Sequence, residues 1–223
     1  MSAFKNNYLE WIGRCRSAVA RWMVVTIGLL LITPVCAEDL QKLLENAQQG
    51  MVGASFHIDA TLQFDGPPFN VSGSISGEDY DFRMTNGVIN RALDGRYWVS
   101  LEDGRTWKLI KGDPSPLYVI LTSPITGDFG KLEQGRESKI KQRFVALQHK
   151  QVGETVVTLI EIKPDPLPDE EQRWPRYWVV TCADGRTWIQ RFSGVISYMR
   201  NVVITDVEYT KVGEEVVIAA PEP

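Results

Sequence analysis

His57 and His149 are the two imidazoles of this 223-residue chain, and so its two histidine candidates for general-base work near neutral pH. His57 falls on the polar side of an alternating segment, and His149 precedes Lys150 in a basic stretch. Neither accompanies a nucleophile motif. The run Ser72-Gly73-Ser74-Ile75-Ser76-Gly77 sets Ile75 where G-x-S-x-G needs serine. Carboxylates gather at Glu78, Asp79 and Asp81, at Glu102 and Asp103, and from Asp165 to Glu171. Glycoside hydrolysis needs two of them across a cleft. These lie in turn-like and acidic-loop segments, where acids serve turn geometry and solvation. The sequence contains no calcium-loop pattern, no P-loop and no dinucleotide fingerprint. Three Cys and two His are too few for a zinc ribbon or finger. These residue types imply no catalytic residue, no metal and no cofactor.

Composition bounds the remaining classes. Apolar residues make up 43% and charged residues 23% of the chain, a globular mixture that excludes intrinsic disorder. Residues 1–37 read as a secretory signal. Lys5, Arg14, Arg16 and Arg21 make a basic start, Met23–Ile32 is a ten-residue apolar run, and Val35-Cys36-Ala37 offers small side chains for cleavage after Ala37. The run is about half the ~20 residues that a membrane span needs. Val35 stands where a lipoprotein signal wants Gly, Ala or Ser before Cys36. The expected mature chain is 38–223, a single domain with 20 basic and 27 acidic residues, net −7. That balance argues against nucleic acid as a partner. Cys182 alone remains, in an apolar strand, and reads as a small core residue.

The elements follow from periodicity. Glu38–Gln49 carries Leu40, Leu43, Leu44 and Ala47 at helical spacing, with Gly50 as its stop. The period then becomes two: Phe56, Ile58, Ala60, Leu62 and Phe64 alternate with His57, Asp59, Thr61, Gln63 and Asp65. Strands through Phe69–Ile75, Tyr80–Met84, Val88–Leu93, Tyr97–Leu101 and Arg105–Ile110 are separated by turn signals, including Asn86-Gly87, Asp94-Gly95 and Asp103-Gly104. Asp113-Pro114-Ser115-Pro116 opens a short buried helix over Leu117–Leu121. Thr126–Gly135 reads as loop, and Ser138–Leu147 fits helix or strand equally. Later strands are Thr155–Lys163, Tyr177–Cys182, Thr187–Phe192, Val195–Met199 and Val202–Tyr209, with Val216–Ala219 as a last one. Pro164–Pro175 is an acidic loop with four prolines. RYWVSLEDGRTW at Arg96–Trp107 echoes RYWVVTCADGRTW at Arg176–Trp188, two hairpins reusing one turn chemistry.

The expected fold is mainly β (α+β): a curled antiparallel sheet of about 11 strands, forming a half-open barrel with an N-terminal helix and short covering helices. So many strands must curl as twist accumulates. Two or three helices cover such a sheet incompletely, which leaves room for an apolar ligand. The expected cavity residues begin with Phe56, Ile58, Leu62, Phe64, Phe69, Val71 and Ile75 in the first strands. Phe82, Met84, Trp98, Trp107 and Leu109 follow, with Tyr118 on the short helix and Val203 and Val207 on the last long strand.

This order of parts resembles the periplasmic carriers of outer-membrane lipoproteins, the half-open barrels of the lipoprotein-sorting type. The likeness runs from EDLQKLLENAQQ into GASFHIDATLQF, through GVINRALDGRYW and SPLYVIL, to TVVTLIEIKP, ADGRTWIQRFSG and NVVITDVEY. It implies a soluble monomer in the periplasm that shields acyl chains of a lipid or lipidated protein in an apolar cavity. Such a protein passes its cargo between membrane-bound donor and acceptor proteins, with the short helix as lid. Carriers of this type have an Arg-Pro pair before the strand corresponding to Tyr80–Met84, and the arginine helps hold the cavity closed. Here that stretch is Ser-Gly-Glu-Asp-Tyr-Asp-Phe-Arg-Met, so the resemblance supplies no closing group. A sensor or protein-interaction domain of the same fold, meeting its partner through the rim and the loop around Trp174, is the other implied role.

Overall fold

The computed structural model describes residues 37–111, 115–127, 141–165, 174–198 and 201–221. The leader reading therefore falls almost wholly outside the described residues, as do most of the acidic loop and most of the loop after Thr126.

Helix α1 spans Ala37–Met51 and buries Leu40, Leu44, Ala47 and Met51. Glu38 and Asp39 sit in its first turn, where carboxylates complement the helix dipole. The helix runs two residues past Gln49. Gly50 lies so close to the Thr187 backbone that an added Cβ would stand 2.6 Å from the Thr187 carbonyl oxygen. Glycine here sets how closely helix and sheet approach rather than stopping the helix.

Among the described residues, eleven strands follow in one antiparallel sheet. The first six are β1 (Ser55–Gln63), β2 (Phe69–Ser76), β3 (Asp79–Met84), β4 (Ile89–Leu93), β5 (Arg96–Ser100) and β6 (Lys108–Ile110). Helix α2 (Pro116–Thr126) intervenes, and β7 (Lys141–Val152), β8 (Thr155–Asp165), β9 (Arg176–Cys182), β10 (Thr187–Tyr198) and β11 (Asn201–Thr210) complete the sheet. The order is β6-β5-β4-β3-β2-β1-β11-β10-β9-β8-β7. Each half is a meander, and β1 pairs with β11 to join them. The ends β6 and β7 do not meet, so the barrel is half-open. Asp94 and Gly95 both have positive φ, 51° and 70°, the conformation that a tight hairpin turn requires.

Three further sequence expectations change. The ambiguous segment before Gln148 is strand β7. Thr187–Phe192 and Val195–Met199 merge into one strand, β10, ending at Tyr198. Val216–Ala219 forms no strand; Arg91 Nη1 holds this tail by donating to the Ala219 carbonyl at 3.0 Å.

One sheet face is largely apolar, with Thr205, between Val203 and Val207, and Asn90, opposite Phe82, as buried polar residues of the same parity. Ile160, Tyr177, Phe192, Val207, Ala60, Val71 and Met84 stand opposite one another across seven consecutive strands. Both helices pack with this face in one core cluster. At Met51 the contact is a hydrogen bond: next to the register shift in β10, the Ile189 N–H donates to Met51 Sδ at 3.2 Å.

Candidate ligand site beneath helix α2

Alternation sends one side chain of each pair inward, and the cross-strand register decides which. Phe56, Ile58, Leu62, Val71, Ile75, Phe82, Val203 and Val207 are buried in the core cluster. Phe64, Phe69, Met84 and Tyr118 are half-buried against it. Trp98, Trp107 and Leu109 lie outside this cluster. Trp98 pairs with Arg91 on one side and Leu109 on the other. The Arg91 guanidinium stacks 4.8 Å from the Trp107 ring centre and binds Asp81. The inward residue of the Tyr97-Trp98 doublet is Tyr97, opposite buried Ala92.

Helix α2 carries no charged residue, and its Leu117, Ile120, Leu121, Ser123, Pro124 and Ile125 are buried. Ser115 caps the start by accepting from the Leu117 N–H at 3.3 Å, Pro116 occupies the first turn, and Gly127 ends the helix at φ 72°. Among the described residues, four hydrogen bonds fasten it. The Ser115 N–H donates to Tyr80 Oη at 3.0 Å, and Tyr118 Oη donates to the Gly77 carbonyl at 3.2 Å. Tyr209 Oη donates to the Leu121 carbonyl at 2.9 Å. Gln48 Nε2, on α1, donates to the Pro124 carbonyl at 2.9 Å. Every bond joins a side chain to main chain, so each can break without leaving a charge behind.

An aromatic stack lies beneath the start of the helix. The Tyr80 ring is 4.7 Å from Phe82 and 5.1 Å from Tyr118, and both pairs are stacked. Burial pushes the Tyr80 and Tyr118 phenols up, with the Ser115 N–H pulling Tyr80 part of the way back. Burial also holds Tyr209 well above the phenol range. Nothing in the residue pattern marks Gln48 as a fastener. Tyr80 and Tyr209 were visible there only as inward members of their strands.

The opposite face is polar. A groove of about 1000 Å³ opens there, over the outward side of β1, β2, β3, β10 and β11. Arg83 pairs with Asp103 at 2.8 Å and Arg191 with Asp206 at 2.7 Å along it. Both histidines make the same cross-strand contact. His57 Nδ1 lies 2.9 Å from Ser74 Oγ, and His149 Nδ1 lies 3.0 Å from Thr158 Oγ1. Each hydroxyl is the histidine's register partner on the neighbouring strand, so sheet pairing accounts for both. Among the described residues no group of three His, Cys, Asp or Glu side chains is placed to hold a metal ion.

Fold and site together define a half-open, eleven-stranded β-barrel whose concave apolar face holds an uncharged helix. No family model matches the chain, and no curated protein matches it. Similar solved structures include a LolA superfamily protein from Nitrosomonas europaea, at 9% identity and a TM-score of 0.34, covering 80% of this chain and 94% of the other. A complex of MucA and MucB from Pseudomonas aeruginosa is 10% identical with a TM-score of 0.38, covering 81% of this chain and 59% of the other. A DUF1329 family protein from Desulfovibrio piger is 10% identical with a TM-score of 0.29, covering 82% and 95%.

Proposed function

We propose that this chain is a non-enzymatic periplasmic carrier that exchanges helix α2 for the acyl chains of a lipid or lipidated protein. The observation that carries this reading is α2 itself: an uncharged helix, fastened among the described residues by four breakable hydrogen bonds, on a largely apolar face. The basic and apolar leader pattern before Ala37 supports export.

Magnitudes support exchange rather than simple opening. Burying Leu117, Ile120, Leu121 and Ile125 stabilises the closed state by about 1.5–3 kcal/mol each, or roughly 6–12 kcal/mol together. Exposing that surface to water is too costly to happen often. An acyl chain of about 14 methylenes recovers ~0.8 kcal/mol per methylene, about 11 kcal/mol. The two terms nearly cancel, so cargo replaces helix at little net cost, and small differences in affinity set the direction of transfer. No bond is made or broken in the cargo.

Native mass spectrometry tests this on protein secreted with its own leader. The expected result is the mass of residues 38–223 with an adduct of lipid mass that organic extraction removes. A bare protein mass, together with no uptake of a fluorescent fatty acid, overturns the reading.

A further inference from the structure

An open sheet edge offers a row of N–H and C=O groups to any extended chain, so sheets usually end in short, bulged or covered strands. The β6 edge fits that rule with three residues. The other edge does not. Strand β7 runs for twelve residues, and among the described residues it pairs only with β8. Its single irregularity is the register shift around Leu147. Every residue from Ala146 to Val152 is exposed, although alternate side chains point to opposite faces. Leu147 is 45% and Val152 53% exposed. Over this stretch no described strand pairs with the outer edge of β7, and its side chains are exposed on both faces.

Its charge is one-sided. Lys141–Val152 contains Lys141, Arg143, His149 and Lys150 and no carboxylate, in a chain of net charge −4. We propose that β7 is a docking edge that takes an extended acidic segment of a partner protein as a twelfth strand. At ~3.4 Å per residue, the seven exposed residues present about 24 Å of main chain, enough for a strand of ordinary length. Main-chain hydrogen bonds hold the guest over Ala146–Val152, its carboxylates select the register against Lys150 with Arg143 adding attraction just before that stretch, and Leu147 and Val152 accept its apolar side chains. A second copy of this chain is the wrong guest. Pairing β7 with itself sets a basic strand against a basic strand, and like charges directly opposite are destabilising. The inference is independent of what occupies the apolar face.

The test uses the secreted protein and two fluorescein-labelled heptapeptides, Glu-Val-Glu-Val-Glu-Val-Glu and its lysine counterpart. Binding is read by anisotropy and located by amide exchange. The acidic peptide is expected to bind at least tenfold more tightly than the basic one and to slow exchange within Ala146–Val152. The double variant R143E/K150E, both exposed sites with an unchanged melting temperature expected, should reverse the preference. Equal binding of the two peptides, protection confined to another part of the sheet, or a preference that the double variant leaves intact would overturn the proposal. So would a concentration-dependent dimer with protected β7 amides in the absence of peptide.

Discussion

Tyr209, on β11, donates its phenol proton to the Leu121 carbonyl of α2 at 2.9 Å, and both residues are fully buried. The sheet thus holds the middle of the helix through one neutral hydrogen bond. A buried hydrogen bond of this kind contributes about 1 kcal/mol, and leaving its acceptor unmet costs about 1–3 kcal/mol. Tyr209→Phe removes the donor and keeps the ring, including its edge-to-face contact with Phe56. Amide exchange in α2 should accelerate about five- to tenfold, with β1 and β2 unchanged. Uniform acceleration through the sheet would show that the bond supports the whole fold rather than the helix. Burial keeps the Tyr209 phenol protonated well above its ordinary value of 10.0, so wild-type α2 exchange should show no change in the fastening between pH 6 and 9 beyond the intrinsic chemistry of exchange.

Gln48 fastens the other end of α2 from a different element. Its Nε2 reaches the Pro124 carbonyl, and its side-chain amide lies 3.6 Å from where a Cβ on Gly127 would stand. Gln48→Leu deletes the link between helices and leaves the sheet contacts of α2 intact. A stopped-flow measurement of fluorescent fatty-acid uptake should show a rate about threefold to tenfold higher than wild type. An unchanged rate would mean that α1 does not restrain α2.

Glu161 is the one buried carboxylate among the described residues. Burial alone would raise its pKa. Lys163 Nζ at 2.7 Å and Arg176 Nε at 2.8 Å outweigh that and hold it below its ordinary value of 4.5. A lowered folded-state pKa contributes stability that is complete above the unfolded value and is lost as pH falls through the folded one. Glu161→Gln should cost about 1.5–3 kcal/mol at pH 7, or roughly 3–12 °C in melting temperature for a chain of this size. The gap between variant and wild type should narrow below pH 4.5. A gap that persists unchanged at pH 3 would assign the loss to packing instead of charge.

The sheet was legible in the sequence because one wet face and one dry face enforce period two, and because the Asp-Gly turns demand positive φ. Strand β7 was not legible. Phe144 and Ala146 keep the period, but the shift at Leu147 slips it by one, so the apolar positions fit no single template. The inward parity was legible too: eight of the expected side chains share the buried cluster. The Tyr97-Trp98 doublet shows the limit. Adjacent aromatic residues must point to opposite faces, and size favours Trp98, yet Arg91 and Asp81 on the neighbouring strands place Trp98 on the outer side. Gln48 was hidden for another reason. A polar residue near a helix end carries no signal until a second helix brings it a carbonyl.

Gly73 tests whether the apolar face was shaped around its aromatic residues. It lies in the middle of β2, opposite Ile58 on β1 and Phe82 on β3. Glycine weakens a strand interior unless something must approach closely. Here something does: an added Cβ would collide with the Asp81 carbonyl oxygen and stand 2.9 Å from Phe82 Cδ1. The main chain of β3 at Asp81 and the ring of Phe82 occupy the space that a side chain would fill. Gly73→Ala gains backbone rigidity worth about 0.4–1 kcal/mol, but overpacking costs about 1–3 kcal/mol. The expected net effect is a loss of roughly 1–2 kcal/mol in a denaturant melt. The pairing of β2 with β3 should loosen first, seen as faster exchange at Asp81 and Phe82. The second substitution Phe82→Leu should restore little of that loss, because the nearest obstacle is the Asp81 main chain. A stabilised Gly73→Ala variant would show that the strands separate easily there, and that Phe82 is not fixed by its neighbour.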